Sequence, residues 1–202
     1  TEHVNGRDAF VKAIKADIPV ILKEQQELPG TPIVHRNLAD MTRVLNRLVY
    51  QKGGWTLHML RGIVGTETFW AGIREYYRRF KNGNATTADF RQVMEQASGR
   101  PLSWFFDQWL TRAGIPVVAG GWRYDAAARQ VVLELSQTQT GDPFRLPVEV
   151  GLTMPDGQTR VEHVELAERN SRLTLPSEAA PVAVTLDPNT WVLMRTGPFV
   201  RH

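Results

Sequence analysis

Tyr50, Lys52, Gly53 and Gly54 stand together at the head of the apolar run Trp55-Thr56-Leu57-His58-Met59-Leu60. A phenol is a neutral hydrogen-bond donor near neutral pH, because an unperturbed tyrosine titrates at about 10. Such a donor suits an oxyanion in a tetrahedral intermediate better than it suits proton abstraction. Two glycines weaken a helix start, where Ser, Thr, Asp or Asn would be ordinary. What they give is space, so that another backbone or a substrate could come close beside Tyr50. On the residues alone, a buried tyrosine capping a core helix is the simpler reading, and both stay open.

Other catalytic sets are missing. No H-E-x-x-H, Gly-rich phosphate loop or G-x-S-x-G occurs. The absence of cysteine excludes disulfides and thiolate metal sites, and leaves the compartment open. The histidines, at positions 3, 35, 58, 163 and 202, are scattered and never paired at i, i+4. His35 and His58 with a carboxylate are a conceivable zinc site. Histidines packed or solvated at a helix–loop junction are far commoner.

The elements that must position Tyr50 lie in residues 1–114, which read as helices. Phe10, Val11 and Ile14 open a helical stripe, and Pro19 predicts a kink or restart within it. Glu27 to His35, with two prolines and a glycine, reads as loop. From Tyr50 a helix should run to Gly65. Thr66 is the expected N-cap of the next, whose broad apolar face is Phe69, Trp70, Ile73, Tyr76, Tyr77 and Phe80. Its basic stretch, Tyr76 to Lys81, reads as a solvated side. Thr86 and Asp89 resemble a capping box for a helix ending at Gly99. Pro101 suits the first position of a last helix with a core stripe of Leu102, Phe105, Phe106, Trp109 and Leu110.

Past Gly114-Ile115-Pro116 the pattern changes. Residues 1–114 carry 16 basic and 11 acidic side chains and residues 115–202 carry 8 and 10, with every lysine in the first part. Alternation replaces helical stripes: Val131, Leu133 and Leu135 share one face, as do Leu146, Val148, Val150 and Leu152. Further runs are TRVEHVEL, SRLTL, VAVTLD and WVLMR, separated by turn chemistry that includes a tight hairpin at Asp156-Gly157. Seven or so short strands predict a small antiparallel β-sandwich. The fold class is therefore α+β in two domains, 1–114 helical and 115–202 β-sandwich. The net charge of +3 is too weak to suggest a nucleic-acid partner, and no run is long enough to span a membrane. The opening Thr1-Glu2-His3, without initiator Met or signal segment, leads us to expect a piece of a longer protein.

The stretch from Val49 to Pro116 resembles the later part of the catalytic domain of zinc aminopeptidases of the alanyl aminopeptidase (aminopeptidase N) type, the gluzincins. The likeness rests on Tyr50-Gln51-Lys52-Gly53, on Gly65 with Phe69, Gly72, Ile73 and Tyr76, and on Thr87, Asp89 and Phe90. Phe106-Asp107-Gln108-Trp109-Leu110, Gly114 and Pro116 close it. It implies that residues 1–114 are the all-helical half of such a catalytic domain. It also implies that Tyr50 is the catalytic residue carried here, clamping the oxygen that turns negative when a zinc-bound water attacks the scissile carbonyl.

The family's H-E-x-x-H, distal glutamate ligand and G-x-M-E-N strand precede that tyrosine, and none is in this chain. The resemblance thus implies zinc in a full-length parent, with no metal expected on these residues. The implied partners are the upstream zinc-binding part of the same protein and the N-terminus of a peptide substrate. The isolated chain is expected to be inactive. The alternative is a non-catalytic aminopeptidase-like scaffold for protein contacts.

Overall fold

A computed structural model describes residues 2–34 and 44–202, which mix helices and sheets in two compact units, Thr1–Gly114 and Ile115–His202. The first unit contains α1 (Glu2–Glu27), a π-helical turn (Leu48–Lys52), α2 (Gly53–Val64), α3 (Thr66–Phe80), α4 (Thr87–Ser98) and α5 (Ser103–Thr111). In α1 the interruption expected at Pro19 falls instead at Gly6, whose φ of 81° and ψ of 172° are not helical. Proline's fixed φ is compatible with a helix and removes one hydrogen bond, whereas glycine leaves the helical region at little steric cost. Buried Ile14 and Ile21 line the inner side of α1.

Local signals explain the other helices. The Thr86 hydroxyl accepts from the Asp89 N–H while the Asp89 carboxylate accepts from the Thr86 N–H, and left-handed Gly99 (φ 64°) ends α4. Gly65, with φ 88°, both ends α2 and starts α3 in place of Thr66. The Thr66 hydroxyl accepts from Arg61 Nε instead, at 3.0 Å. Along α3 the inward face is narrower than expected: Phe69 is buried, while Trp70 and Tyr77 are exposed. Gly72 permits close contact with α4, since a Cβ there would lie 2.5 Å from Met94 Sδ. Pro101 precedes α5 by two residues, and Leu102, Phe105, Phe106 and Trp109 fill the helical core.

The second unit holds seven strands: β1 (Val117–Asp125), β2 (Gln130–Gln137), β3 (Leu146–Thr153), β4 (Thr159–Leu166), β5 (Asn170–Pro176), β6 (Ala183–Leu186) and β7 (Arg195–Arg201). They form a four-stranded sheet ordered β5-β2-β1-β7 and a three-stranded sheet ordered β4-β3-β6. Val131, Leu133, Leu135, Leu146, Val148, Val150 and Leu152 are all buried. Asp156-Gly157 closes the β3–β4 hairpin.

Pairing is antiparallel except between β1 and β7, which run parallel. That pair departs from the all-antiparallel expectation because β7 follows β6 of the other sheet and enters at the open edge of β1. Two further differences have local causes. Trp191–Met194 is not a strand, because the Trp191 and Val192 N–H groups donate to the Asp187 carboxylate at 2.8 and 2.9 Å rather than to a ladder. β1 is a strand despite Gly120-Gly121, and a Cβ at Gly120 would overlap the Glu134 carbonyl oxygen of β2.

Candidate functional site

Tyr50 lies inside the π-helical turn, a wider coil than the α-helix that appears mostly in short pieces and frequently at functional sites. Asn46 starts the turn: its Oδ1 accepts from the N–H groups of Leu48 at 2.9 Å and Val49 at 3.1 Å. The Gly53 N–H ends it, donating to the carbonyls of both Leu48 and Tyr50. Leu48 and Lys52 point inward and are fully buried, whereas Tyr50 is 62% exposed. The phenol therefore faces the surface, which excludes the buried core-capping tyrosine.

Around it the helix surface is open. Nothing lies within 4 Å of a Cβ built on Gly53 or Gly54. Tyr50, Gly54 and exposed Leu57 recur at helical spacing along one stripe. On one side of this stripe a cleft of about 300 Å³ is lined by Gly53, Leu57, Leu60, Phe90, Phe105 and Phe106. On the other, a cleft of about 380 Å³ is lined by Gly54, Leu57, His58, Arg61 and Trp70 among others. Both fall at the lower end of the size range of small-molecule sites and mix apolar with polar lining: Thr56, Tyr76, Thr86 and Thr87 border the first, Glu2, His3 and Arg61 the second.

The underside of the turn is tied down by polar contacts that sequence reasoning did not assign. Lys52 Nζ donates to the Arg112 carbonyl at 2.9 Å, at the C-terminal end of α5. Its pKa is pulled down to about 8, chiefly by burial and secondarily by the nearby Arg112 guanidinium. A cation at a helix C-terminus meets the negative end of the macrodipole, which partly offsets its desolvation. The Thr56 hydroxyl donates to the Lys52 carbonyl at 2.8 Å. Trp55, fully buried, donates from Nε1 to the Ile14 carbonyl of α1 at 2.9 Å. A signal for Lys52 was present in the sequence: it follows Leu48 by four residues, which puts a charge on the apolar side of the segment.

Of the two histidines weighed as zinc ligands, His35 lies outside the described residues. His58 is buried, with its ring edge-on to Phe10 at 5.0 Å and Trp55 at 5.7 Å. Among the described residues no group of three His, Asp or Glu side chains is arranged to hold a metal ion. No described helix is long and apolar enough to cross a membrane.

Comparison with known proteins bears on this geometry. Residues 15–109 match the model of the peptidase family M1 domain. Mouse (Mus musculus) glutamyl aminopeptidase is 30% identical over 154 residues, which is 75% of this chain and 15% of that protein. Aminopeptidase N of Streptomyces lividans is 29% identical over 181 residues, 81% of this chain and 21% of that protein. The chain thus spans about a fifth or less of the length of these curated relatives. Among solved structures, Legionella pneumophila aminopeptidase A in complex with aspartic acid superposes with a TM-score of 0.74. That match covers 97% of this chain and 22% of the other at 16% identity, so it speaks to the fold. Family match, relatives and fold agree: the chain is of the M1 aminopeptidase type.

Proposed function

We propose that this chain is part of a zinc aminopeptidase that removes N-terminal residues from peptides, and that Tyr50 is the catalytic residue it contributes. In this reading the phenol donates a hydrogen bond to the carbonyl oxygen that turns negative when the peptide bond is attacked. The observation that supports it is the exposure of Tyr50 on a turn whose other side is buried and tethered. An outward phenol beside two side-chain-free positions leaves room for a substrate carbonyl.

The M1 aminopeptidases are zinc-dependent as a family. In this reading the metal is held by a segment outside residues 1–202, as the family resemblance implies. That segment of the same protein is then the partner of residues 1–114, which form the helical part of the catalytic domain. Residues 115–202 form a β-sandwich domain, its four- and three-stranded sheets closing on one core. Cross-sheet methyl NOEs between β2 and β3 check that arrangement, and their absence would refute it.

Two measurements test the proposal. In the full-length protein, Tyr50→Phe lowers kcat by about 100- to 1000-fold, with zinc content and circular dichroism unchanged. Near-parental turnover in that variant removes Tyr50 from the mechanism. The 202-residue chain alone gives no hydrolysis of alanine or leucine anilides with zinc added, and metal-dependent turnover by it would contradict the assignment of the metal to other residues.

A further inference from the structure

We infer that Lys52 is a positioning residue for Tyr50: its tether to the Arg112 carbonyl fixes the π-helical turn on which the phenol stands. The inference rests on the catalytic role proposed for Tyr50 and adds how the fold holds that side chain in place.

Residues two apart on a helical turn face away from each other, so Tyr50 points out where Lys52 points in. An exposed phenol makes few contacts of its own, and its aim is set by the backbone that bears it. Leu48, the other inward residue of the turn, packs without directional preference. Lys52 differs, because a charge-assisted hydrogen bond has a preferred length and angle. It joins the turn to α5 across 60 residues of sequence, and Thr56 holds its own carbonyl at the same time. Both ends of this one residue are therefore fixed.

Stability does not explain the choice of lysine. A leucine or methionine would fill a fully buried position without desolvating an ammonium. Its lowered pKa records that desolvation. What the ammonium gives and an apolar side chain cannot is a fixed direction. A displacement of about 1 Å can cost on the order of 100-fold in rate.

A double-mutant cycle in the full-length protein tests this. Lys52→Met lowers kcat by about 10- to 100-fold and leaves KM within about twofold of the parent. In the Tyr50→Phe background the same change adds less than about twofold, because the group it positions is gone. An unchanged kcat for Lys52→Met, or the same loss with and without the Tyr50 hydroxyl, overturns the inference while leaving Tyr50 catalytic. A harmless Tyr50→Phe overturns the catalytic reading instead.

A fluorine label in the full-length protein gives a readout independent of turnover. With 3-fluorotyrosine at position 50, Lys52→Met shifts and broadens the fluorine resonance if the tether fixes the turn. An unmoved, equally sharp resonance overturns it. Should Lys52→Met fail to fold, Lys52→Gln, whose amide nitrogen stops one bond short of the Nζ position and so loses the 2.9 Å bond unless the turn moves, carries both comparisons.

Discussion

The π-helical turn and the α3–α4 pair solve different problems within one helical unit. α3 and α4 are held by the ordinary devices: an apolar stripe, a reciprocal cap, a left-handed glycine stop and a close approach at Gly72. Their ion pairs, Arg78 and Arg79 on Glu75, stand at the surface. The turn at Tyr50 inverts that plan. Its charge is inside, at Lys52, and its aromatic ring is outside, at Tyr50. Packing that maximises stability keeps charges out. Since α3 also leaves rings exposed at Trp70 and Tyr77, it is the buried charge at Lys52 that sets the turn apart. It marks a segment shaped by orientation, and each half of the contrast can be broken separately.

Titrating the buried charge breaks it most strongly. Lys52 titrates near 8 in the folded chain, against its ordinary 10.5. Between those values the unfolded chain holds the proton that the folded chain has released, so folding stability rises with pH across the window. The cost of the buried ammonium is fully present below pH 8 and is relieved as pH approaches 10.5. Urea unfolding of the parent chain and of Lys52→Met at about pH 7 and pH 10.5 isolates this group, the other titrations cancelling in the difference. The parent gains about 3 kcal/mol relative to the variant over that interval. A constant difference would mean that Lys52 is not desolvated.

Gly72 tests the opposite region. Met94, at the far side of the contact, is fully buried, so it has little room to yield to a new Cβ. Gly72→Val destabilises the chain by about 1–3 kcal/mol through overpacking. Fluorescence-monitored urea unfolding measures it, and the fluorine resonance at Tyr50 is expected to stay in place. If that resonance moved as well, the two regions would not be independent.

Legibility in the sequence followed the same divide. The Thr86–Asp89 box, the Gly99 stop and the Asp156-Gly157 hairpin were readable because each is decided within a few residues. Alternation revealed the buried faces of β2 and β3 for the same reason. The bond between Lys52 and Arg112 was not readable, since nothing local links positions 60 apart. The apolar run Trp191–Met194 imitated a strand, but the carboxylate of Asp187 claims two of its N–H groups. Gly120-Gly121 concealed β1, because what calls for a glycine at 120 is the backbone of a neighbouring strand. At the candidate site, the motif around Tyr50 could be picked out by type and spacing, while its exposure depended on how the turn was anchored.

The smallest expected effect belongs to Glu75, and it completes the contrast with Lys52. Hydrogen bonds from Arg78 and then Arg79 hold its pKa down to about 2, a displacement similar in size to that of the buried lysine. Its sign is the reverse: the stabilisation is present above the carboxylate's ordinary 4.5 and is lost as pH falls toward 2. Yet Glu75 and its arginines are solvated, where water and salt screen the attraction and holding three long side chains in place opposes it. Glu75→Gln should leave the urea midpoint at neutral pH within experimental error, and added salt should erase whatever difference remains. A loss comparable to that for Gly72→Val would show that the outer face of α3 contributes as much as its packed one, and the division between stabilising interior and solvated exterior in this region would fail.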